Sequence, residues 1–369
     1  MKPTARLIIA DSESSADLFW ATRFVVPDPI LYLEIGGKKI LIASDLEFSR
    51  AQKEAAVDQV LRKGPLPDVE TLDRFLKKRK IRRIEVPASF PFRYAEALQK
   101  KKYRVRAVPD PFFPKREFKN PAEKREIVKS LRATEDAILF AIDTIRQTRI
   151  RRGRLYLKGT PLTSESLRRM MEIRMMGNGC LARHTIVSCG REAADPHCIG
   201  SGPLLANQPI VLDVFPKSIS SGYYGDITRT VIKGKASPKL CEMYAAVRKA
   251  QEAGISKVRS GVDAARVHQA VVSTLEGAGF RTGNRNGRPE GFIHGTGHGL
   301  GLEIHEPPRI GKTSNILKKG HVVTVEPGLY YRDLGGIRIE DVVFVTNRGC
   351  EVLTRIPKKF EIEGRPYSC

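Results

Sequence analysis

A proline-dense segment, PDPFFPKREFKNP (residues 109–121), divides this chain into two parts of different character. Proline fixes its own φ and lacks an amide donor, so the segment ends the helical and strand patterns before it. The chain has 369 residues, which is beyond the size at which a single hydrophobic core usually stops growing. We therefore predict two domains, residues 1–118 and 119–369.

In the first part, short apolar runs alternate with amphipathic stretches. The runs have the length and the Ile, Leu and Val content of strands, and the stretches between them have helical spacing. Such alternation predicts a small α/β domain. The predicted strands are 6–10, 31–35, 38–44, 81–87 and 103–109, and the predicted helices are 49–63, 69–80 and 92–102.

The second part combines longer helices with strand-like runs. Apolar residues recur at i, i+3, i+4 and i+7 in its helical stretches, and Thr163 or a neighbour is placed to cap the second helix. This mixture predicts an α+β fold for the second domain. The predicted helices are 122–150, 163–177, 240–258 and 263–279, and the predicted strands are 209–215, 223–232, 321–328 and 336–345.

The net charge of +23 could favour binding to nucleic acid. Basic clusters such as KKRKIRR (77–83) and RIRRGR (149–154) occur in both parts of the chain, so the charge is spread and is not carried on one arm. No zinc-finger or RNP-type pattern accompanies them. We expect a solvated basic surface and no nucleic-acid partner.

The sequence favours a cytoplasmic protein with no membrane partner. No apolar run approaches the roughly 20 residues that span a bilayer. The N-terminus lacks the long apolar stretch of a secretory signal. The six cysteines are sparse and show no CxxC spacing, which fits reduced thiols better than a disulfide framework.

Four carboxylates, Asp213, Asp226, Glu326 and Glu340, fall inside predicted strands. A charge buried among apolar neighbours is costly unless it is compensated, either by arginine or by metal ions. Turn-like stretches separate Asp213 from Asp226 and Glu326 from Glu340. Two antiparallel hairpins could therefore bring each pair to one face.

The stretch HGTGHGLGLEIHEPP (294–308) places three histidines among four glycines. The glycines disfavour a helix, and the HExxH and phosphate-loop patterns are absent. Alone, the stretch is compatible with a glycine loop or with a metal or catalytic site. Combined with four carboxylates, one histidine completes an oxygen-dominated set suited to two divalent cations, Mn, Co or Fe. A pair of such metal ions is typical of enzymes that hydrolyse amide bonds.

From about Lys124 to its end, the chain resembles the creatinase/aminopeptidase family, the "pita-bread" metallopeptidases. The resemblance implies a pita-bread catalytic domain after a smaller creatinase-type N-terminal α/β domain. It also implies a dinuclear site in which Asp226 and Glu340 bridge the metals. The motifs, in order, are KREIVKSLRA, ADPHCIG, VLDVF, YYGDITRT, HGTGHGLGLEIHEPP, VEPGLYY and GIRIEDVV, and the implied ligands are Asp213, Asp226, His298, Glu326 and Glu340.

The resemblance also implies catalytic roles. His305 would stabilise the tetrahedral intermediate, His197 would contact the substrate, and Glu326 is expected to shuttle a proton. For the neighbouring residues alternatives stay open: His294 lines the pocket or binds substrate, Arg338 orients Glu340 or binds substrate, and Tyr330 binds substrate or packs. We expect packing roles for the remaining histidines, His184, His268 and His321.

Within the family, the separate N-terminal domain disfavours a methionine aminopeptidase, and the five ligands disfavour a creatinase. The leading prediction is an Xaa-Pro aminopeptidase with two divalent metals, of which Mn is preferred and Co, Fe or Zn are possible, and we expect a homodimer. The alternatives are an Xaa-Pro dipeptidase (prolidase) and a non-catalytic binding protein on the same scaffold.

The sequence departs from the family pattern in two ways. Asp213 and Asp226 are thirteen residues apart, which is wider than the family's usual spacing, and we assign the extra length to the turn at 217–221. In addition, Phe215, followed by Pro216, replaces a usual glycine. We expect these two residues to narrow the pocket.

Overall fold

The computed structural model describes residues 4–62 and 68–362. The chain divides into two compact units, Met1–Arg116 and Glu117–Cys369. The division falls inside the proline-dense segment, close to the predicted boundary between residues 118 and 119. In the described part of the chain, no helix is both long and apolar enough to cross a membrane.

The first unit is an α/β domain around one six-stranded mixed sheet, with strand order β4-β3-β2-β1-β5-β6. Separate apolar cores cover its two faces, one containing Leu76 and Leu98 from helices and the other containing Phe24 and Ala51. Its elements are β1 (Thr4–Ala10), α1 (Ala16–Thr22), β2 (Ile30–Ile35), β3 (Lys38–Ala43), α2 (Phe48–Glu54), β4 (Gln59–Arg62), α3 (Val69–Lys78), β5 (Arg83–Pro87), α4 (Phe92–Lys100) and β6 (Arg104–Val108).

The predicted helix over 49–63 is wrong in its second half. Helix α2 ends at Glu54, and β4 pairs in parallel with β3 instead. The Asp58 side chain accepts the backbone N–H of Lys39 at 2.7 Å and fixes the start of this pairing. A short apolar run suits a strand as well as a helix, and the open edge of β3 decides between them.

The second unit is α+β, as predicted. Its helices are α5 (Pro121–Arg146), α6 (Ser164–Gly177), α7 (Pro238–Lys257) and α8 (Ala264–Gly277). Its strands are β7 (Arg149–Arg151), β8 (Arg154–Leu157), β9 (Thr160–Pro161), β10 (Cys180–Leu181), β11 (Ile186–Cys189), β12 (Ile210–Val214), β13 (Lys217–Ser218), β14 (Ile227–Lys233), β15 (Gly283–Arg285), β16 (Arg288–Glu290), β17 (Gly297–Gly299), β18 (Glu306–Ile310), β19 (Val322–Val325), β20 (Gly328–Tyr331), β21 (Gly335–Arg338), β22 (Asp341–Val345), β23 (Cys350–Val352) and β24 (Glu361–Ile362).

Two sheets and one hairpin carry the residues of interest. One sheet has the order β11-β12-β14-β24, the other has the order β18-β17-β19-β22-β23, and β20 pairs with β21. Helices α7 and α8 pack behind the hairpin, where Val247 and Val271 share a core with Leu329 and Ile337.

Candidate metal centre

Asp213 lies on β12, and Asp226 lies directly before β14, the antiparallel neighbour of β12. The sequence predicted Asp226 inside a strand, whereas β14 begins one residue later. Strand β12 pairs with β14 so that Asp213 is opposite Thr228 and Val214 is opposite Ile227. The Gly225 amide donates to the Pro216 carbonyl at 2.9 Å, so the register continues one step beyond β14. Phe215 is therefore opposite Asp226. Because side chains alternate along a strand, Asp213 and Asp226 share one face as diagonal neighbours.

Glu326 and Glu340 lie in a gap within one long hairpin. Val325 pairs with Asp341 on one side of the gap, and Gly328 pairs with Arg338 on the other side, in the same register. Glu326 is therefore opposite Glu340. The sequence predicted both inside continuous strands, whereas the structure places both just outside β19 and β22.

His298 projects from β17, a buried Gly-His-Gly strand. A Cβ atom at Gly297 would overlap the Thr324 carbonyl of β19, and one at Gly299 would overlap the Pro307 carbonyl. These glycines thus allow β17 to approach the neighbouring backbone closely. The imidazole Nδ1 contacts the Gly299 carbonyl at 3.1 Å, which directs Nε2 toward the carboxylates.

Asp226, His298 and Glu340 form the tightest group. One ligand atom from each lies within 4.8 Å of the others. His298 Nε2 is 3.6 Å from Asp226 Oδ2 and 3.3 Å from Glu326 Oε1, so Glu326 adjoins the group. Asp213 lies beside this group, where it accepts a hydrogen bond from Arg338.

The carboxylates repel one another in a buried environment. Burial raises the pKa of Asp226 well above its ordinary value, and the negative charges of Glu340, Asp213 and Glu326 raise it further. Burial and the charges of Glu326 and Asp213 raise the pKa of Glu340 in the same way. Burial alone would raise the pKa of Glu326 too, but its hydrogen bond to His298 and nearby cations lower it to about 2. These groups need a cation to ionise together.

Arg338 supplies one buried cation. Its guanidinium donates to Asp213 at 2.6 Å, to the Tyr330 hydroxyl at 2.7 Å and to the Thr228 hydroxyl at 3.2 Å. Thr228 in turn donates to Glu340 at 2.9 Å. Arg338 therefore contacts Asp213 directly and reaches Glu340 only through Thr228.

Tyr330 links this network to His294. The His294 Nε2 atom lies 2.9 Å from the Tyr330 hydroxyl, and Tyr330 is only 1% exposed. Burial raises the pKa of Tyr330 to about 12, although Arg338 acts in the opposite direction. The hydroxyl is thus a protonated link between Arg338 and His294. Substrate binding by Tyr330, His294 or Arg338 stays a prediction.

His305 and His197 lie at the exposed side of the group. The His305 ring packs edge-on against His298, with centroids 4.4 Å apart. Partial enclosure, then the charges of His298 and Arg309, lower the pKa of His305 to about 4. His197 is exposed in a turn after the short 3-10 helix Glu192–Ala194. Burial is the main cause that lowers the pKa of His294, and His197 is a smaller cause in the same direction for both His294 and His305.

Of the three histidines expected to have packing roles, His268 and His321 are buried and His184 is exposed. His268 Nδ1 lies 2.9 Å from the Thr296 hydroxyl. His321 is 1% exposed, and its Nδ1 accepts the Lys318 amide at 3.2 Å. His184 is exposed in the left-handed region, with φ of 61°.

Sequence reasoning missed two threonines. Thr228 joins Arg338 to Glu340, and Thr324 accepts the His298 amide at 3.0 Å while its hydroxyl lies 3.3 Å from Glu326 Oε1. Each is two residues from a predicted ligand, Thr228 from Asp226 and Thr324 from Glu326. Strand periodicity, which places such residues on one face, was the available signal.

The donor chemistry fits divalent metal ions. Glu340 Oε1 is buried and has no hydrogen-bond partner among the residues described. Asp226, Glu340 and His298 present oxygen and imidazole donors to one point. A cation there would satisfy the orphaned oxygen and offset the repulsion between carboxylates. The site thus has the character of a metallohydrolase centre.

The model of metallopeptidase family M24 matches residues 125–347. The match covers more than half of the chain, and the protein belongs to this family. Family membership implies divalent metal ions, and the fold of the second unit is the pita-bread fold, as predicted.

Relatives and solved structures agree with this assignment. The Xaa-Pro dipeptidase of Pyrococcus horikoshii is 27% identical over 335 residues, which are 89% of this chain and 87% of that protein. The structure of an X-Pro aminopeptidase from Thermotoga maritima has a TM-score of 0.81 at 25% identity and covers 97% of each chain. An Xaa-Pro dipeptidase structure from Bacillus anthracis, with a TM-score of 0.84 at 23% identity over 98% of this chain and 94% of that one, supports the fold alone.

Proposed function

We propose that this metallopeptidase is a dinuclear exopeptidase that hydrolyses the bond between an N-terminal residue and proline. The supporting observation is the convergence of Asp226, His298 and Glu340 on one point. In this proposal Asp213, Asp226, His298, Glu326 and Glu340 would hold the two metal ions, with Asp226 and Glu340 at the centre of the set. Arg338, which bonds Asp213, offsets part of the negative charge.

In this proposal, side chains of the protein transfer the proton and stabilise the oxyanion, while the metal ions supply Lewis-acid chemistry. Divalent cations bound in such a centre supply Lewis-acid polarisation and favour deprotonation of water. The Glu326 carboxylate accepts the proton of the attacking water and returns it to the leaving nitrogen of proline. The imidazoles of His305 and His197 lie at the exposed side of the centre, where their N–H groups donate to the developing oxyanion.

The Xaa-Pro specificity rests on the relatives. Both the dipeptidase from P. horikoshii and the aminopeptidase from T. maritima carry this specificity in their names. Phe215, half-buried opposite Asp226, is a candidate wall for a compact ring such as proline.

One observation favours dipeptides over longer peptides as substrates. Arg309 on β18 pairs with His298 on β17, is exposed, and its charge acts on His305. A dipeptide ends in a carboxylate one residue beyond the scissile bond, and a guanidinium suits such a group.

A peptide series tests the proposal. Purified protein is analysed for metal, supplied with Mn or Co, and assayed with Ala-Pro, Ala-Pro-Ala and longer peptides, with Ala-Ala as the control. Cleavage of Ala-Pro alone, lost in Arg309→Met, supports the dipeptidase. Cleavage of the longer peptides supports the aminopeptidase. A protein that retains no metal and cleaves no peptide supports the non-catalytic alternative and contradicts the proposal.

The preference for Mn, the homodimer, the cytoplasmic location and the lack of a nucleic-acid partner stay predictions. Activity recovered from the metal-free protein with Mn, Co, Fe and Zn in turn tests the first. Sedimentation tests the second. Binding that falls steeply with added salt would contradict the last.

A further inference from the structure

The residue after His305 is a buried carboxylate with defined partners. Glu306 has a side chain that is only 3% exposed. Its Oε1 atom accepts the backbone amides of Leu302 at 3.0 Å and Glu303 at 3.1 Å. A single carboxylate oxygen thus holds two amides of the segment that leads to His305.

The other carboxylate oxygen of Glu306, Oε2, forms a buried ion pair. Lys119 Nζ lies 2.6 Å from Oε2, and the Lys119 side chain is 2% exposed. The Lys119 amide donates to the Gly320 carbonyl at 2.8 Å, which ties this cation to another segment of the same unit. The pair is therefore fixed at both ends and is shielded from solvent.

The segment of residues 301–306, here called the His305 loop, curls around the Glu306 carboxylate. A Cβ atom at Gly301 would lie 2.5 Å from Glu306 Oε2, so only glycine lets the backbone pass this closely. The Gly301 carbonyl accepts the Tyr224 amide at 2.9 Å at the start of the loop. At its end, the His305 ring is held 4.4 Å from the His298 ring at 84°.

We propose that Glu306 is the positioning residue of His305: its buried carboxylate, seated on Lys119, sets the shape of the His305 loop and so the direction of the imidazole. Glu306 does not touch the substrate in this proposal. The proposal rests on the catalytic role proposed for His305. The carboxylate oxygen that accepts the Leu302 and Glu303 amides orders the loop, and Lys119 keeps that carboxylate in place.

A matched pair of double variants separates positioning from mere stability. Both remove the two buried charges together, so neither charge is left alone. Lys119→Met/Glu306→Gln keeps an acceptor oxygen for the Leu302 and Glu303 amides, whereas Lys119→Met/Glu306→Met has none. Metal content and thermal unfolding of both are measured first, to establish that each is folded and loaded.

We expect the Gln form to keep kcat within about threefold of the unmodified enzyme. The Met form should lose about 10–100-fold in kcat, the range seen when an orienting partner is removed, with little change in KM. Adding His305→Ala to the Met form should lower kcat no further than His305→Ala alone, because both changes act through one imidazole. In hydrogen exchange, the amides of Leu302 and Glu303 should lose protection only in the Met form.

Three results would overturn the positioning role: equal kcat in the two double variants, a kcat below that of His305→Ala alone when His305→Ala is added to the Met form, or amides equally protected in both. Failure of the proposed function gives a different pattern. An unmodified enzyme that cleaves no Xaa-Pro peptide, or a His305→Ala variant with full kcat, refutes the catalytic role of His305 and the positioning claim with it. The exchange measurement still decides whether Glu306 orders the loop.

Discussion

Glu326 and Glu340 lie opposite each other in a hairpin whose register is the same on both sides of them. Backbone pairing stops for these two residues and resumes after them. Glu326 and Glu340 face His298 and Asp226, whereas Asp341, the next residue in the chain, forms a buried ion pair with Arg229 at 2.8 Å. One hairpin thus directs consecutive acids to different partners.

Glu340→Gln should remove activity without unfolding the protein. The amide keeps the shape of the side chain but not the charge that burial disfavours and that the proposed metals require. We expect kcat/KM to fall by at least about 1,000-fold, as for a member of a catalytic unit. Kinetics, metal analysis and thermal unfolding with and without chelator check this. The metal-free variant should be at least as stable as the metal-free unmodified protein, and an active variant would contradict the bridging role.

Thr228→Val and Thr230→Val form a matched pair on β14. Both side chains are buried. The Thr228 hydroxyl joins Arg338 to Glu340, whereas the Thr230 hydroxyl exchanges hydrogen bonds of 2.9 and 3.0 Å with the Arg338 backbone. Each change should cost about 1–3 kcal/mol of stability because partners are left unsatisfied. Only Thr228→Val should weaken metal affinity, by about 10–100-fold in titration calorimetry. Equal affinity in the two variants would exclude a special role for Thr228.

Phe215→Ala should widen the pocket beside Asp226. The ring is half-buried and opposite that carboxylate. Removing it should raise kcat/KM for a peptide with a bulky first residue relative to Ala-Pro by about 10-fold, since pocket contacts of this kind discriminate over roughly 10–200-fold. Phe118→Ala removes a ring that stacks on His321 instead, and serves as the control. An unchanged preference in Phe215→Ala would mean that the ring does not line the pocket.

His321 should make the protein sensitive to acid. Burial and then the charges of Lys119 and Lys318 lower its pKa to about 4, and the Glu117 carboxylate at 3.8 Å does not reverse the shift. A lowered folded-state pKa gives stability that is present above the unfolded value of about 6.5 and is lost as pH falls toward 4. We expect a loss of about 2 kcal/mol between pH 7 and pH 4.5.

Denaturant unfolding of the unmodified protein and His321→Gln at both pH values tests this. The variant should be less stable at pH 7, where it lacks the native imidazole packing, but its stability should change less with pH. Parallel curves for the two proteins would assign the acid sensitivity to other groups.

Much of the site could be predicted because its residues are unusual for their local pattern. A carboxylate within an apolar strand pattern is costly, and four of them with a Gly-His-Gly strand indicate one shared charge-compensating centre. Period-two alternation places Arg338 and Glu340 on one face of a strand and Asp341 on the other, and in the structure Asp341 pairs with Arg229 on the other side.

Other features depend on residues far apart in sequence. Strand β4 forms where the second half of the helix 49–63 was predicted, because the edge of β3 offers backbone hydrogen-bond partners. The pairing of Arg338 with Asp213 and the seat of Glu306 on Lys119 each join residues more than 100 positions apart. No local pattern specifies such contacts, since local sequence sets propensity and alternation while partners are set by which elements pack together.

The sequence by itself determined the kinds of chemistry present: acids inside apolar, strand-like runs, a glycine-rich stretch with its histidines, and the order of family motifs. Only the tertiary structure decided their arrangement, with Asp226, His298 and Glu340 in one group, Asp213 beside Arg338, and His305 on a loop wrapped around Glu306. The reason is physical. Residue type fixes charge and conformational preference locally, but burial, register and close backbone approach exist only once distant strands are packed.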